Sequence, residues 1–169
     1  FYDSGFDVVI SGIDTTEAVM VAKQKVNEGK KVWAIPYDYV GACEGGSSVC
    51  LGVPYFNWGP GYASLVKKSM SGHWKPEWIW LGPDWKDINN PATSTVGFMV
   101  GDALSQEARK ALKDFIAGLA SGKVQLFKGP LNFQDGRVFL KKGEVATDRQ
   151  IWYLPMLLQG MKGASSQAK

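Results

Sequence analysis

The sequence is poor in the groups that most often carry catalysis. Its one histidine, His73, sits in a turn after a helical stretch, with no Cys or Ser motif beside it. There is no G-x-S-x-G, no P-loop and no G-x-G-x-x-G, and no carboxylate pair is placed by its spacing for acid–base work. His73 reads most simply as a solvated turn residue, and neither an enzyme nor a cofactor or metal site is expected. An excess of one charge is also missing. Nineteen Lys and Arg against 16 Asp and Glu leave +3, and the lysines are scattered, so nucleic acid is not an expected partner. No apolar run approaches the ~20 residues of a membrane-spanning helix. Phe1–Ile10 lacks the pattern of a signal peptide and enters a strand almost at once. That start leads to the expectation of a fragment, a processed piece or one half of a split protein, ahead of a short ordered terminus over Phe1–Gly5.

Cysteine is limited to Cys43 and Cys50, which flank CEGGSSVC. An even count, close spacing and a flexible Gly-Gly-Ser-Ser interior suit a small disulfide loop, which favours an extracytoplasmic location. Two free thiols in a cytosolic protein are the alternative. The spacing does not fit zinc, and no His is near in sequence.

What is present is enough for one ordinary domain: 169 residues, 45% hydrophobic and 21% charged, a globular rather than disordered balance. The organising stretch is Phe6–Asp38. Phe6–Ser11 is a β-branched run apolar enough for burial on both faces. Gly12-Ile13-Asp14 forms a loop. Asp14 is placed to cap a helix, with Glu17 three residues on to complete a capping box. Ala18, Val21 and Ala22 start an apolar stripe that Lys25 interrupts and Val26 resumes, and Gly29 ends the helix. Val32–Ile35 is a second strand, ending at Pro36-Tyr37-Asp38. Two parallel strands joined by a helix form a right-handed βαβ unit, and such sheets bind ligands beyond the carboxyl ends of their strands. Gly12, Ile13, Asp14, Asp38 and Tyr39 share that rim.

Further along, Tyr39–Val49 is a Gly/Ser-rich loop and Leu51–Tyr55 a short strand. The aromatic turn Phe56-Asn57-Trp58-Gly59-Pro60-Gly61 opens a helix whose apolar face is Tyr62, Leu65, Val66 and Met70, ended by Gly72. Trp78–Leu81 and Val96–Val100 read as strands separated by a long loop. Ser105 caps the best helix, over Ser105–Ser121, with Gln106 and Glu107 in its first turn and Gly122 at its end. Val124–Phe127 is a strand, and Asp135-Gly136 turns between two more. Ile151–Met161 is apolar and partly helical, with Pro155 near its first turn. The Ala-Ser-Ser-Gln-Ala tail should fray. The fold class expected is α/β, with some antiparallel material toward the C-terminus.

The order GFDVVIS…TTEAVMVAKQKVNEGKKVWAIPYD, then FNWGPGYASLVKKSMSGHWKPEWIWLG, then ASGKVQLFKGPL, QDGRV and a closing W-x-x-P-M-L-L-Q-G-M-K-G resembles the basic-membrane-protein family over nearly the whole chain. These are substrate-binding proteins of ABC importers, often lipoproteins that take purine nucleosides or bases. The resemblance implies part of a type I periplasmic-binding fold, two Rossmann-like lobes with parallel sheets and a ligand between them, of which this chain matches the C-terminal half. Residues 1–95 would be the later part of the second lobe. Residues 96–169 would be the return crossing into the first lobe and the closing segment. The implied partners are a purine nucleoside or nucleobase, an ABC permease, and the missing N-terminal half, as a separate or cleaved chain or exchanged between copies. The implied location is extracytoplasmic, with membrane anchoring through the missing part.

Nucleoside-binding members of that family offer a glycine loop after one strand and an aspartate after the next, positions that resemble Gly12 and Asp38. A backbone amide near Gly12 can approach a hydroxyl closely, and Asp38 can accept two ribose hydroxyl bonds; a turn residue before Tyr39 is the alternative. For Asp14 the helix cap is favoured over a ligand role. The family often has a lysine in the segment aligned with Gly52–Trp58, whereas this chain carries aromatics. Phe56 and Trp58 could stack on a base, or pack as core. Trp74, Trp78, Trp80 and Trp85 read as structural or surface residues. The candidate site is thus Gly12, Ile13, Asp38, Tyr39, Phe56 and Trp58. An α/β enzyme acting on nucleosides or sugars, or a ligand-sensing domain of the same fold, are the rival readings.

Overall fold

The computed structural model describes residues 1–165; the tail expected to fray lies largely outside these. The chain divides into two compact units, Phe1–Leu112 and a second beginning at Lys113. Its class is α/β.

In the first unit, β1 (Val8–Ile10), α1 (Glu17–Asn27) and β2 (Trp33–Ile35) follow one another, and the two strands pair in parallel, Val8 with Trp33 and Ile10 with Ile35. Both are shorter than the apolar runs that encode them. β3 (Gly52–Phe56) lies one residue later than expected. It joins β2 through parallel bridges of Ala34 with Cys50 and Asp38 with Tyr55. On its other side β3 pairs antiparallel with β4 (Val96–Val100), Gly52 opposite Val100 and Phe56 opposite Val96. β1, β2 and β3 therefore run the same way, and their carboxyl ends share one edge.

The core of this unit is built on α1. Val19 and Ala22 are fully buried and meet Tyr2, Val32, Ala34 and Val49, with Val9 and Ala18 packed against them. The loop after β2 closes over this face at Gly46, where a Cβ would come 2.2 Å from Val19 Cγ1. Only hydrogen fits there. The Cys43–Cys50 disulfide fastens the same loop, and Cys50 is itself tied to the sheet by its parallel bridge to Ala34 of β2, while its carbonyl accepts from the Ala103 N–H at 3.1 Å. Lys25, the interruption in the apolar stripe, reaches out to Asp3 and Glu28.

Several expectations are corrected here. β1 is not buried on both faces: Val8 is exposed and Ile10 is 73% exposed, because among the described residues β1 has a strand neighbour on one side only. Asp14 does not cap α1. Thr16 holds the N-cap position, with no side-chain cap bond. α2 (Gly59–Met70) forms where expected but buries none of its residues; Val66 is 56% and Met70 84% exposed. Trp78–Leu81 is not a strand, and residues 71–82 are exposed throughout. A strand needs a neighbour to hydrogen-bond as well as β-forming side chains.

The second unit holds most of α3 (Gln106–Ala120), whose N-cap is Ser105 as expected: its Oγ accepts the Ala108 N–H at 3.2 Å. Buried Gly118 lets Val124 close on the helix, since a Cβ there would meet Val124 Cγ2 at 2.6 Å. Val124–Phe127 is not a strand; the chain bridges instead one residue later, Lys128 with Val145. β5 (Leu131–Asn132) and β6 (Val138–Leu140) form the hairpin that Asp135-Gly136 signals. There Asp135 accepts the Arg137 N–H at 3.0 Å and its Nε at 2.7 Å. Helix α4 (Asp148–Trp152) starts earlier than expected, at a capping box between Thr147 and Gln150. It ends before Pro155, which therefore does not lie in its first turn.

Candidate functional site

The three parallel strands deliver their ends to one rim. At the end of β1, Ser11 is buried, and its N–H donates to Ile35 O at 2.9 Å. Gly12 follows on the surface. A Cβ at Gly12 would meet nothing within 4 Å, so the backbone here faces open space. Ile13 is exposed beside it.

At the end of β2 the chain does something that few residues tolerate. Asp38 has φ 78, the only non-glycine residue with positive φ among those described. Asp and Asn accept this conformation more readily than most residues, and where it occurs outside glycine it often marks a functional position. It is locked by two backbone bonds to β3: Asp38 N–H donates to Pro54 O at 2.9 Å, and Phe56 N–H donates to Asp38 O at 3.1 Å. No hydrogen bond or ion pair engages its carboxylate among the described residues, so that acceptor is available. Tyr39 follows, exposed; a Cβ on Gly41 would lie 2.7 Å from both the Tyr39 ring and Glu44 Oε1.

From β3 into α2 runs a line of rings. Tyr37 meets Phe56 edge-on at 6.4 Å, Phe56 meets Trp58 at 5.4 Å, and Trp58 stacks with Tyr62 at 6.1 Å and 20°. Trp58 remains 59% exposed. A planar, partly exposed aromatic surface of this kind can take a flat ring by stacking.

The structure thus brings Asp38, Phe56 and Trp58 together at one edge, next to the loop of Gly12. Ile13 and Tyr39 share the strand ends as exposed side chains. Three residues of the arrangement were not in the sequence-based set. Tyr37 and Tyr62 complete the ring ladder. Asp14 accepts a hydrogen bond from the Tyr37 hydroxyl at 3.1 Å and thereby ties the β1 loop to the end of β2. The Asp14 carboxylate pushes the Tyr37 hydroxyl above the usual phenol range, first through that hydrogen bond and then through its charge. Tyr62 could have been found from its spacing, since it is four residues after Trp58 at a helix start. Tyr37 and Asp14 meet only through the fold.

Elsewhere, His73 Nδ1 lies 3.0 Å from Ser71 Oγ on an exposed turn. It belongs to a shallow depression beside α2, with Ser64 and Lys67, that contains none of the rim residues. Among the described residues no group of three or more His, Cys, Asp or Glu is placed to hold a metal ion, and no helix is long and apolar enough to cross a membrane.

No protein-family model matches the chain. It is similar to a purine-binding protein of Brucella abortus (strain 2308), 26% identical over 159 residues, which is 94% of this chain and 41% of that protein. The chain therefore spans less than half the length of the curated relative it matches.

Proposed function

We propose that this chain is part of a solute-binding protein of the basic-membrane-protein type, which presents a purine nucleoside or nucleobase to an ABC permease. The observation that carries the reading is the rim itself. An open glycine loop, a carboxylate that no hydrogen bond or ion pair engages among the described residues and an exposed ring ladder stand together at the carboxyl ends of three parallel strands. That combination suits a ligand with a flat aromatic part and a polyhydroxyl part. The base would lie on Trp58 and Phe56, and Asp38 would accept from hydroxyls, with Gly12 leaving room for close backbone approach. The similarity to a protein named purine-binding supports the same ligand class.

In this reading residues 1–95 are the later part of one α/β lobe and residues 96–169 return toward the other, in a two-lobed periplasmic-binding fold. Further polypeptide, corresponding to the part of the relative that this chain does not match, would supply the facing lobe. Closure of the two lobes would bury the ligand. The Cys43–Cys50 disulfide supports an extracytoplasmic location, where such bonds persist. Anchoring to the membrane would come through the further polypeptide. Binding rather than turnover is the role proposed.

The test is a tryptophan-fluorescence titration of the full-length polypeptide carrying this sequence, with adenosine, guanosine, inosine and their free bases. Saturable binding of at least one is expected. Trp58→Ala should weaken it about 5- to 150-fold, the span of a lost stacking contact. Asp38→Asn, which keeps a residue tolerant of positive φ, should weaken nucleosides more than free bases. Absence of binding by every compound, or release of base or sugar product on incubation, would overturn the reading.

A further inference from the structure

Phe56 and Trp58, the two rings assigned to the base, flank Asn57. β3 ends at Phe56 and α2 begins at Gly59, so this is a turn between elements. A ring carried on a turn keeps one place only if something fixes the backbone beneath it. Asn57 does so. Its N–H donates to Thr95 O at 2.9 Å. Its side-chain Nδ2 donates to Pro91 O at 2.9 Å and to Ser94 O at 2.7 Å. Both partners are carbonyls, so the nitrogen and not the oxygen of the amide must face them. An amide NH2 has two hydrogens, and both are used within the chain.

The loop that receives these bonds is itself braced. Ser94 is 1% exposed; its Oγ accepts the Asp84 N–H at 2.9 Å and donates to Val96 O at 2.8 Å. Thr93 Oγ1 donates to Asp84 Oδ2 at 2.6 Å, and Thr95 Oγ1 donates to Gly82 O at 2.7 Å. Asn89 fastens the loop to β4: its Nδ2 donates to Phe98 O and its Oδ1 accepts the Phe98 N–H, both at 3.0 Å. None of these residues belongs to the rim, yet through Asn57 the loop they stiffen sets where Phe56 and Trp58 stand. On the other side the Phe56 N–H donates to Asp38 O at 3.1 Å, so the same stretch places the rings relative to the Asp38 carboxylate.

Resting on the reading above, we propose that Asn57 is a positioning residue of the ligand site: it anchors the turn between β3 and α2 to the loop of residues 82–95 and so holds the Phe56 and Trp58 rings in place relative to Asp38. Its donors go to the loop, and it acts on the ligand through the rings. A stacking surface fixed before binding loses less freedom when the ligand arrives, and supporting hydrogen bonds of this kind keep the contacting groups in their productive geometry. The effect of losing Asn57 therefore depends on the rings being there. It also falls on the base, so a nucleoside and its free base should suffer alike, whereas loss of the Asp38 charge falls on the hydroxyls.

The experiment is a double-mutant cycle read by titration calorimetry on the full-length polypeptide carrying this sequence, with adenosine, guanosine, inosine and their free bases. Asn57→Ala should weaken nucleoside and free base by the same factor, about 3- to 10-fold, the span of a lost hydrogen bond. Asn57→Asp keeps the shape but turns an acceptor toward two carbonyls, and should weaken both further. In a Trp58→Ala background the loss from Asn57→Ala should shrink to about twofold or less, because most of what it orients is gone. Each variant is titrated below its own melting midpoint, so that loss of fold is not counted as loss of affinity. A merely structural role would give equal losses in the two backgrounds, and that result overturns this inference while the binding reading stands. So does an affinity that Asn57→Ala and Asn57→Asp leave unchanged. Absence of binding by the wild-type protein overturns both.

Discussion

Helices α1 and α2 are built by the same local rules and end in the same way, yet only one of them has a core. They have 11 and 12 residues. Each closes with a left-handed glycine, Gly29 at φ 87 and Gly72 at φ 70. The closing bonds correspond pair by pair. Lys30 N–H donates to Lys25 O and Gly29 N–H to Val26 O in α1; His73 N–H donates to Lys68 O and Gly72 N–H to Ser69 O in α2. This is the Schellman pattern in both. But α1 buries Val19 and Ala22 completely, and α2 buries nothing. The difference lies in what flanks them. The strands on either side of α1 hydrogen-bond to each other and bring Val32 and Ala34 under the helix, and the loop after β2 adds Val49. The strand before α2 pairs instead with β4, and the segment after α2 joins no strand. Helix formation is settled within the helix, whereas burial is settled by the return strand.

The largest effect that sharpens this contrast is a paired truncation. Val19→Ala removes two methyl groups from a side chain with no exposed surface and should cost about 2 kcal/mol from transfer and cavity terms together. Val66→Ala, on the exposed face of α2, should stay within about 0.5 kcal/mol. Chemical denaturation of the purified protein measures both. Equal losses would break the comparison, because they would mean that the face of α2 is covered in solution.

The same contrast explains what could be read in advance. The β1–α1–β2 unit was legible because every signal in it is local: β-branched runs, a helical stripe and a closing glycine. Val96–Val100 and the Asp135-Gly136 hairpin follow for the same reason, as does the Ser105 cap. Trp78–Leu81 misleads because its composition is that of a strand, whereas strandhood also requires a backbone ladder, and among the described residues this segment forms none. Tyr62, Val66 and Met70 have the spacing of a core face, and spacing cannot say whether anything lies opposite. At the rim, the strand ends follow from topology, so Gly12 and Asp38 could be placed on one edge. Asp14 has the spacing of a capping box, yet it turns to a tyrosine 23 residues away in sequence. Such a contact exists only once the sheet has formed.

A second, smaller effect should be equal in the two helices. Replacing Gly29 or Gly72 by Ala adds a Cβ that meets nothing within 4 Å in either place, so the penalty is backbone strain alone, about 1 kcal/mol each. Thermal melts of the two variants should shift alike. A much larger shift for Gly72→Ala would indicate that the turn after α2 is packed as tightly as a core position.

The smallest effect concerns acid, and it should touch the α1 side alone. Asp3, in the turn at the N-terminus, receives Lys30 Nζ at 2.5 Å and Lys25 Nζ at 3.0 Å. These two ammonium groups, Lys30 first, hold its carboxyl at about 2. The folded value lies below that of an unfolded aspartate, near 4. The unfolded chain therefore binds the proton first as pH falls, and the link stabilises the fold above about pH 4 and is lost between about pH 4 and 2. Because Asp3 is exposed, salt should weaken the link. Asp3→Asn should flatten the acid limb of the stability curve in that window and leave the curve at pH 7 only slightly lower. Hydrogen exchange resolves where the loss falls: protection in the wild-type protein should fall in α1 more than in the parent core strand β2, since Lys25 is the member of the pair that belongs to the helix. An acid limb unchanged by Asp3→Asn would mean that the N-terminal turn does not hold α1, and that the core of Val19 and Ala22 fixes the helix unaided.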